Sequence, residues 1–168
     1  MKILIIGIVA SGKTTLAKQL SEKLNTQYYE IDSIVHNDLN NTKRTDKEQK
    51  QIIGNIDKNK DWIIEGTLRK NLYYLLDLAD KVIYLDIPLH IRKKRILTRF
   101  MRQKLGLEEC NYKPTLKMLK LMYKWTKDYE NKREDFEKHL NNYSNKLIKL
   151  TNIEDLEINN DYTKTKKK

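Results

Sequence analysis

One stretch near the start constrains this 168-residue chain more than any other: Gly7-Ile8-Val9-Ala10-Ser11-Gly12-Lys13-Thr14, a complete G-x-x-x-x-G-K-T. The run before it, Lys2 to Ile6 (KILII), reads as a strand buried on both faces. After it, Lys13 to Leu24 sets Leu16, Leu20 and Leu24 at helical spacing. A strand, a glycine turn and a helix in this order build an anion cradle. Gly7 and Gly12 admit backbone conformations closed to residues with a Cβ. Successive amides then converge on a phosphate-sized concavity, and the helix adds its positive end. Lys13 supplies a point charge for β- and γ-phosphates, and Thr14 offers a hydroxyl to Mg²⁺. Gly7, Ala10, Ser11, Gly12, Lys13, Thr14 and Thr15 are therefore the expected binding residues for Mg²⁺–ATP.

The remaining pattern alternates strands with helices. Tyr28 to Ile31, Trp62 to Ile64, Lys81 to Leu85 and Leu147 to Leu150 read as further strands. Asp46 is the expected N-cap of a helix carrying Gln49, Ile52, Ile53 and Ile56. Leu68 to Leu78 reads as helical, and Pro88 opens a long helix to about Leu105. Gly106 to Pro114 is a break, Thr115 to Asn141 a long charged helix, and Ile153 to Ile158 the start of a last one. Trp125 and Tyr129 on the long helix are read as packing residues. The sum is an α/β, three-layer domain with an open five-stranded parallel sheet. It spans residues 1–160, with a candidate acceptor flap at about 33–60, a lid region at about 100–125 and a basic tail at 161–168.

Lys and Arg total 34 against 23 acids, a net charge of +11, which invites a nucleic-acid reading. The excess is local. Residues 92 to 104 carry seven basic side chains and no acid, residues 164 to 168 carry four lysines, and the rest is neutral. No helix-turn-helix or zinc finger accompanies it. Cys110 is the only cysteine, so no internal disulfide can form and a reducing, cytoplasmic setting is expected. No apolar run approaches a membrane span, and Ile3 to Ala10 lacks the features of a signal peptide. His36, His90 and His139 share no metal-ligand spacing.

In order along the chain stand Glu30-Ile31-Asp32-Ser33-Ile34, Trp62-Ile63-Ile64-Glu65-Gly66-Thr67 and Asp80-Lys81-Val82-Ile83-Tyr84-Leu85-Asp86-Ile87-Pro88, then an arginine-rich helix. With the phosphate loop these blocks resemble the adenylate-kinase-like small phosphotransferases, and within them the bacterial topology-modulation proteins. The resemblance covers residues 1 to 152. It implies a P-loop NTPase fold with strand order 2-3-1-4-5. It implies that Arg95 and Arg99 contact the transferring phosphates, that Asp32 and Arg69 serve the acceptor, and that Glu65 supports Mg²⁺. Glu65 departs from the aspartate usual in that block. Helical spacing independently puts Arg92, Arg95, Arg99 and Arg102 along one face. Asp86 is read as a helix cap.

The expectation is an ATP-dependent phosphotransferase with ATP and Mg²⁺ as cofactors, Lys13, Arg95, Arg99 and Asp32 as catalytic residues, and a small hydroxylated or nucleotide-type acceptor. The rival reading is a nucleotide-binding, nucleic-acid-associated regulator without robust kinase activity, its nucleic-acid partner suggested by the basic tail.

Overall fold

The structure, a computed structural model, describes residues 1–37, 42–108 and 114–152. In chain order its elements are β1 (Lys2–Gly7), α1 (Lys13–Leu24), β2 (Tyr28–Glu30), α2 (Ile31–Val35), β3 (His36–Asn37), β4 (Thr42–Lys43), α3 (Asp46–Asp57), β5 (Trp62–Gly66), α4 (Tyr74–Leu78), β6 (Lys81–Leu85), α5 (Leu89–Lys104), α6 (Leu116–Leu140) and β7 (Leu147–Leu150). β1 lies at the centre of a five-stranded sheet ordered β2-β5-β1-β6-β7, which counted within the sheet is 2-3-1-4-5. Its pairings are all parallel. β3 and β4 form a separate antiparallel ribbon.

The period-2 alternation of strand side chains explains why β1 is apolar throughout. Ile3 and Ile5 meet Leu16, Ala17 and Leu20 of α1 on one face. Leu4 and Ile6 join Trp62, Ile64, Val82 and Tyr84 in the larger core on the other face, with Ile53 of α3 and Leu140 of α6. The sheet is thus covered on both sides, as a parallel sheet requires. Among the described residues no helix is long and apolar enough to cross a membrane.

Several local expectations are corrected. Thr45, not Asp46, caps α3: it forms a capping box with Glu48, and Asp46 becomes the first helical residue. The helix expected over 68–78 is a 3₁₀ turn at Lys70–Leu72 followed by the short α4. β2 stops at Glu30 because Ile31 turns directly into α2. The flap region holds the end of α2, the β3–β4 ribbon and α3. The lid region holds the end of α5 and the start of α6, with residues 109–113 outside the described residues. The helix expected at 153–158 and the basic tail also lie outside them.

Gly66 closes β5 where the chain runs against α2. A Cβ built there would lie 2.5 Å from the Ile31 Cβ, at a φ of +157°. Neither β5, pinned to Ile6 by its register, nor the buried Ile31 can retreat. Gly66→Ala is expected to lower unfolding free energy by about 2–4 kcal/mol, read from urea denaturation. A loss under about 0.5 kcal/mol would show that the two elements are free to separate.

Candidate active site

The carboxyl ends of β1, β2, β5 and β6 open on one side of the sheet, where open α/β sheets bind ligands. The loop between β1 and α1 stands at the middle of that edge. Gly7 sits so close to β6 that a Cβ would meet the Leu85 carbonyl oxygen at 2.9 Å and the Ser11 Oγ at 2.7 Å. Gly12, the N-cap of α1, adopts a left-handed φ of 97°, and Ala10 a φ of 61°. Gly12 has no side chain to cap the helix and the first turn of α1 carries no acid, so its amides remain open to an anion. Thr67 just beyond β5 donates its hydroxyl to the Gly7 carbonyl at 3.1 Å, tying the loop's entry to the neighbouring strand end.

Lys13 reaches back into the loop, its Nζ donating to the Ile8 carbonyl at 3.0 Å. Burial holds its ammonium below the usual 10.5; the Glu65 and Asp32 carboxylates oppose that shift and Arg99 reinforces it. Thr14 donates its hydroxyl to Glu65 at 2.5 Å. Burial pushes the Glu65 carboxyl above its ordinary 4.5, against the pull of Lys13 and the Thr14 hydrogen bond. Thr15 and Ala10 line the same cleft, and Ser11 is fully buried beneath it.

Arg95 of α5 donates to the carbonyls of Ser11 and Ala10 at 3.2 and 3.4 Å. Arg99, one turn on, also lines the cleft, and Glu108 pairs with it at 3.0 Å and with Arg102 at 3.6 Å. Across the loop, Asp32 and Arg69 form an ion pair at 3.0 Å although they come from different elements. Asp32 is 72% exposed, so the pair faces solvent and is not part of the core. All these groups line a single cleft of about 2110 Å³. One small-molecule ligand usually occupies about 300–1000 Å³, so this volume accommodates a nucleotide and a second molecule.

A family model described as an AAA domain, AAA_18, matches residues 3–113. The chain belongs to that family. It is similar to the cytidylate kinase of Sulfolobus acidocaldarius, 32% identical over 117 residues, or 59% of this chain and 62% of that protein. The chain therefore spans less than two thirds of the length of this curated relative. A shikimate kinase of Bacteroides thetaiotaomicron shares the fold with a TM-score of 0.56 at 13% identity, covering 90% of this chain and 88% of that one. This member of the family is a P-loop, nucleotide-kinase-like protein.

Three readings of single residues change. Arg92 does not share the open face of Arg95 and Arg99. It is buried, donating to the Ile87 carbonyl at 2.8 Å and pairing with Glu130 of α6. Positions 92 and 99 nearly coincide around the helix, so what separates them is height: Arg92 stands in the first turn of α5, where the Ile87 carbonyl and Glu130 of α6 meet it. Asp86 does not cap α5, whose N-cap is Pro88. It is buried beside Tyr84, paired with Arg133 and with Lys149 at 3.1 Å. Trp125 is not a core residue: it is 44% exposed and lines the cleft. Tyr129, by contrast, packs against Phe136 and contacts the Tyr84 hydroxyl.

Glu30 is a further cleft residue, to which the motifs assign no role. It ends β2 in register with Glu65 and contributes to the rise of the Glu65 carboxyl. Its one sequence signal is its place at a strand end, one residue before a turn. Because Glu65 protonates above 4.5, acidification is expected to weaken Mg²⁺–ATP binding along a limb that starts higher than an ordinary glutamate would allow. Calorimetric titrations between pH 4.5 and 8 check this. Glu65→Gln should lack that limb, and identical profiles for the two proteins would contradict the assignment.

Proposed function

We propose that this protein transfers the γ-phosphoryl group of ATP to a hydroxyl of a small acceptor. The observation that supports this reading is the facing of two unlike sites in one cleft. One is an anion cradle with Lys13, Arg95 and Arg99; the other is the Asp32–Arg69 pair. The first suits a polyphosphate, and the second suits a hydroxylated molecule whose proton needs an acceptor.

In this reading Gly7, Ala10, Ser11, Gly12, Lys13, Thr14 and Thr15 hold the nucleotide phosphates. Lys13, Arg95 and Arg99 stabilise negative charge on the moving group; phosphoryl transfer depends chiefly on such positioning and electrostatics. Arg69 orients Asp32, and Asp32 takes the acceptor's proton. The Thr14 hydroxyl and Glu65 carboxylate are hard oxygen donors already in contact, and they fit Mg²⁺. Among the described residues no group of three or more His, Cys, Asp or Glu forms a cage, which suits an ion carried largely by nucleotide phosphates. When bound, Mg²⁺ neutralises charge on the β- and γ-oxygens.

The finer family reading is a topology-modulation-type protein, carried by the order of its sequence blocks. The nucleic-acid-associated alternative finds less support in the fold. The basic segment at 92–104 is divided among separate tasks, with Arg92 buried against Glu130, Arg95 on the loop, and Arg99 and Arg102 on Glu108.

An ATP-consumption screen over nucleosides, nucleotides and hydroxylated acids tests the proposal. An acceptor-dependent rate well above ATP hydrolysis is expected. Arg99→Ala should lower that rate about 100-fold or more while changing ATP affinity less, as loss of a transition-state contact does. Equal losses in both would make Arg99 a ground-state ligand, and no acceptor-dependent rate would overturn the reading.

A further inference from the structure

The cleft has a wall that the phosphate-transfer machinery does not use. Met118, Met122, Trp125, Tyr129, Lys132 and Phe136 follow one another along α6 at steps of four and three, which puts them on one helix face. All six line the cleft. The same side of α6 also packs inward: Met122, Thr126 and Leu140 are buried, Tyr129 and Phe136 pack against the core, and the Thr126 hydroxyl donates back to the Met122 carbonyl at 2.9 Å. The wall is graded. Phe136 packs on Tyr73 at 6.4 Å, four residues beyond Arg69, which anchors it on the Asp32–Arg69 side. Tyr129 is fixed by the Tyr84 hydroxyl and lies 5.8 Å from the buried Arg92 guanidinium. Trp125 leaves a large part of its indole open, and among the described residues its ring stacks on no other.

We propose that this face recognises the acceptor and that the acceptor is a nucleoside. Its planar base lies against Trp125, and its sugar hydroxyl is directed to Asp32. The inference rests on the phosphotransferase reading above. A flat heterocycle is the ligand that an open indole beside rigid aromatic rings favours, because base–aromatic stacking is strong and needs no exact hydrogen-bond register. Asp128 and Lys132, flanking Tyr129 on the same side of α6 and both lining the cleft, offer an acceptor and a donor to the edge of a base. The cleft-lining charges on the segments around Asp32 and Arg69 and on this part of α6 balance: Glu30, Asp32 and Asp128 against Arg69, Lys70 and Lys132. That suits a neutral acceptor better than one carrying its own phosphate. In the step itself the bond from the γ-phosphorus to the β,γ-bridging oxygen breaks, and a bond from that phosphorus to the sugar oxygen forms. The hydroxyl proton passes to Asp32, leaving ADP and a nucleoside monophosphate.

Tryptophan fluorescence tests this directly. The chain has two tryptophans, and Trp62 is fully buried and bonded to Asp57, so Trp125 is the responsive reporter. Cytidine, adenosine, uridine, guanosine, cytidine monophosphate and D-gluconate are titrated separately, with and without Mg²⁺–ATP, and each is assayed as acceptor. At least one nucleoside should quench saturably and be phosphorylated, more efficiently than the monophosphate. Trp125→Leu should abolish the quench and raise that nucleoside's KM about tenfold or more, with kcat and Mg²⁺–ATP affinity changed less. Trp125→Phe should restore most of the KM. Turnover of gluconate or of the monophosphate alone, or a nucleoside KM untouched by Trp125→Leu, overturns the inference while leaving phosphotransfer standing. Quenching by ATP but by no nucleoside assigns the wall to the donor and also overturns it. Absence of both Mg²⁺–ATP binding and any acceptor turnover removes this inference together with the reading beneath it.

Discussion

Lys13 is a half-buried ammonium held in a loop whose backbone is bent to receive an anion. That partly desolvated charge organises the rest of the site. Its burial is tolerated because the Ile8 carbonyl accepts from it and because Glu65 and Asp32 lie near enough to support the charged form. The same burial raises Glu65, so the two groups are poised against each other across Thr14. A polyanion entering the loop would relieve the cost on Lys13. The loop can exist only where β1 is held on both sides, since Gly7 approaches β6 and is tied through Thr67 to β5. The five-stranded sheet is therefore the frame that the phosphate cradle requires.

Around this centre the net charge of +11 acquires a different meaning. Within 92–104 the arginines divide among separate contacts. Arg92 fastens α5 to α6 through Glu130, and Arg95 reaches the loop carbonyls. Arg99 and Arg102 both pair with Glu108. A second ionic cluster, Asp86 with Arg133, Lys149 and Glu137, joins the end of β6 to α6 and β7. Asp86 is its buried member, and Arg133, Glu137 and Lys149 surround it at the edge of solvent, tying α6 to the sheet.

The parts of this architecture set by backbone rules are legible in the amino-acid sequence. Buried β-branched runs mark β1, β5, β6 and β7, and the glycine spacing marks the loop, because each signal is local. The pairing of Asp32 with Arg69 is foreshadowed only as two separate acceptor residues, since their contact depends on how α2 and the segment after β5 fold over the edge. Periodicity also misleads in a specific way. A stripe of apolar residues at helical spacing looks the same whether it faces a core or a cleft, so Trp125 reads as packing. Asp46 and Thr45 are both good caps; the reciprocal bond with Glu48 favours Thr45. Asp86 before Ile87-Pro88 resembles a cap because its partners, Arg133 and Lys149, lie tens of residues away in the chain.

The central claim is that the half-buried Lys13 and the amide cradle around it form the nucleotide site. Isothermal titration of Mg²⁺–ATP into the wild-type protein and into Lys13→Ala tests it most directly. The account predicts saturable binding to the wild type with one site per chain, and a loss of about 100-fold or more in the variant, as removal of a buried charge-assisted contact to phosphate entails. Equal affinities in the two folded proteins would contradict it.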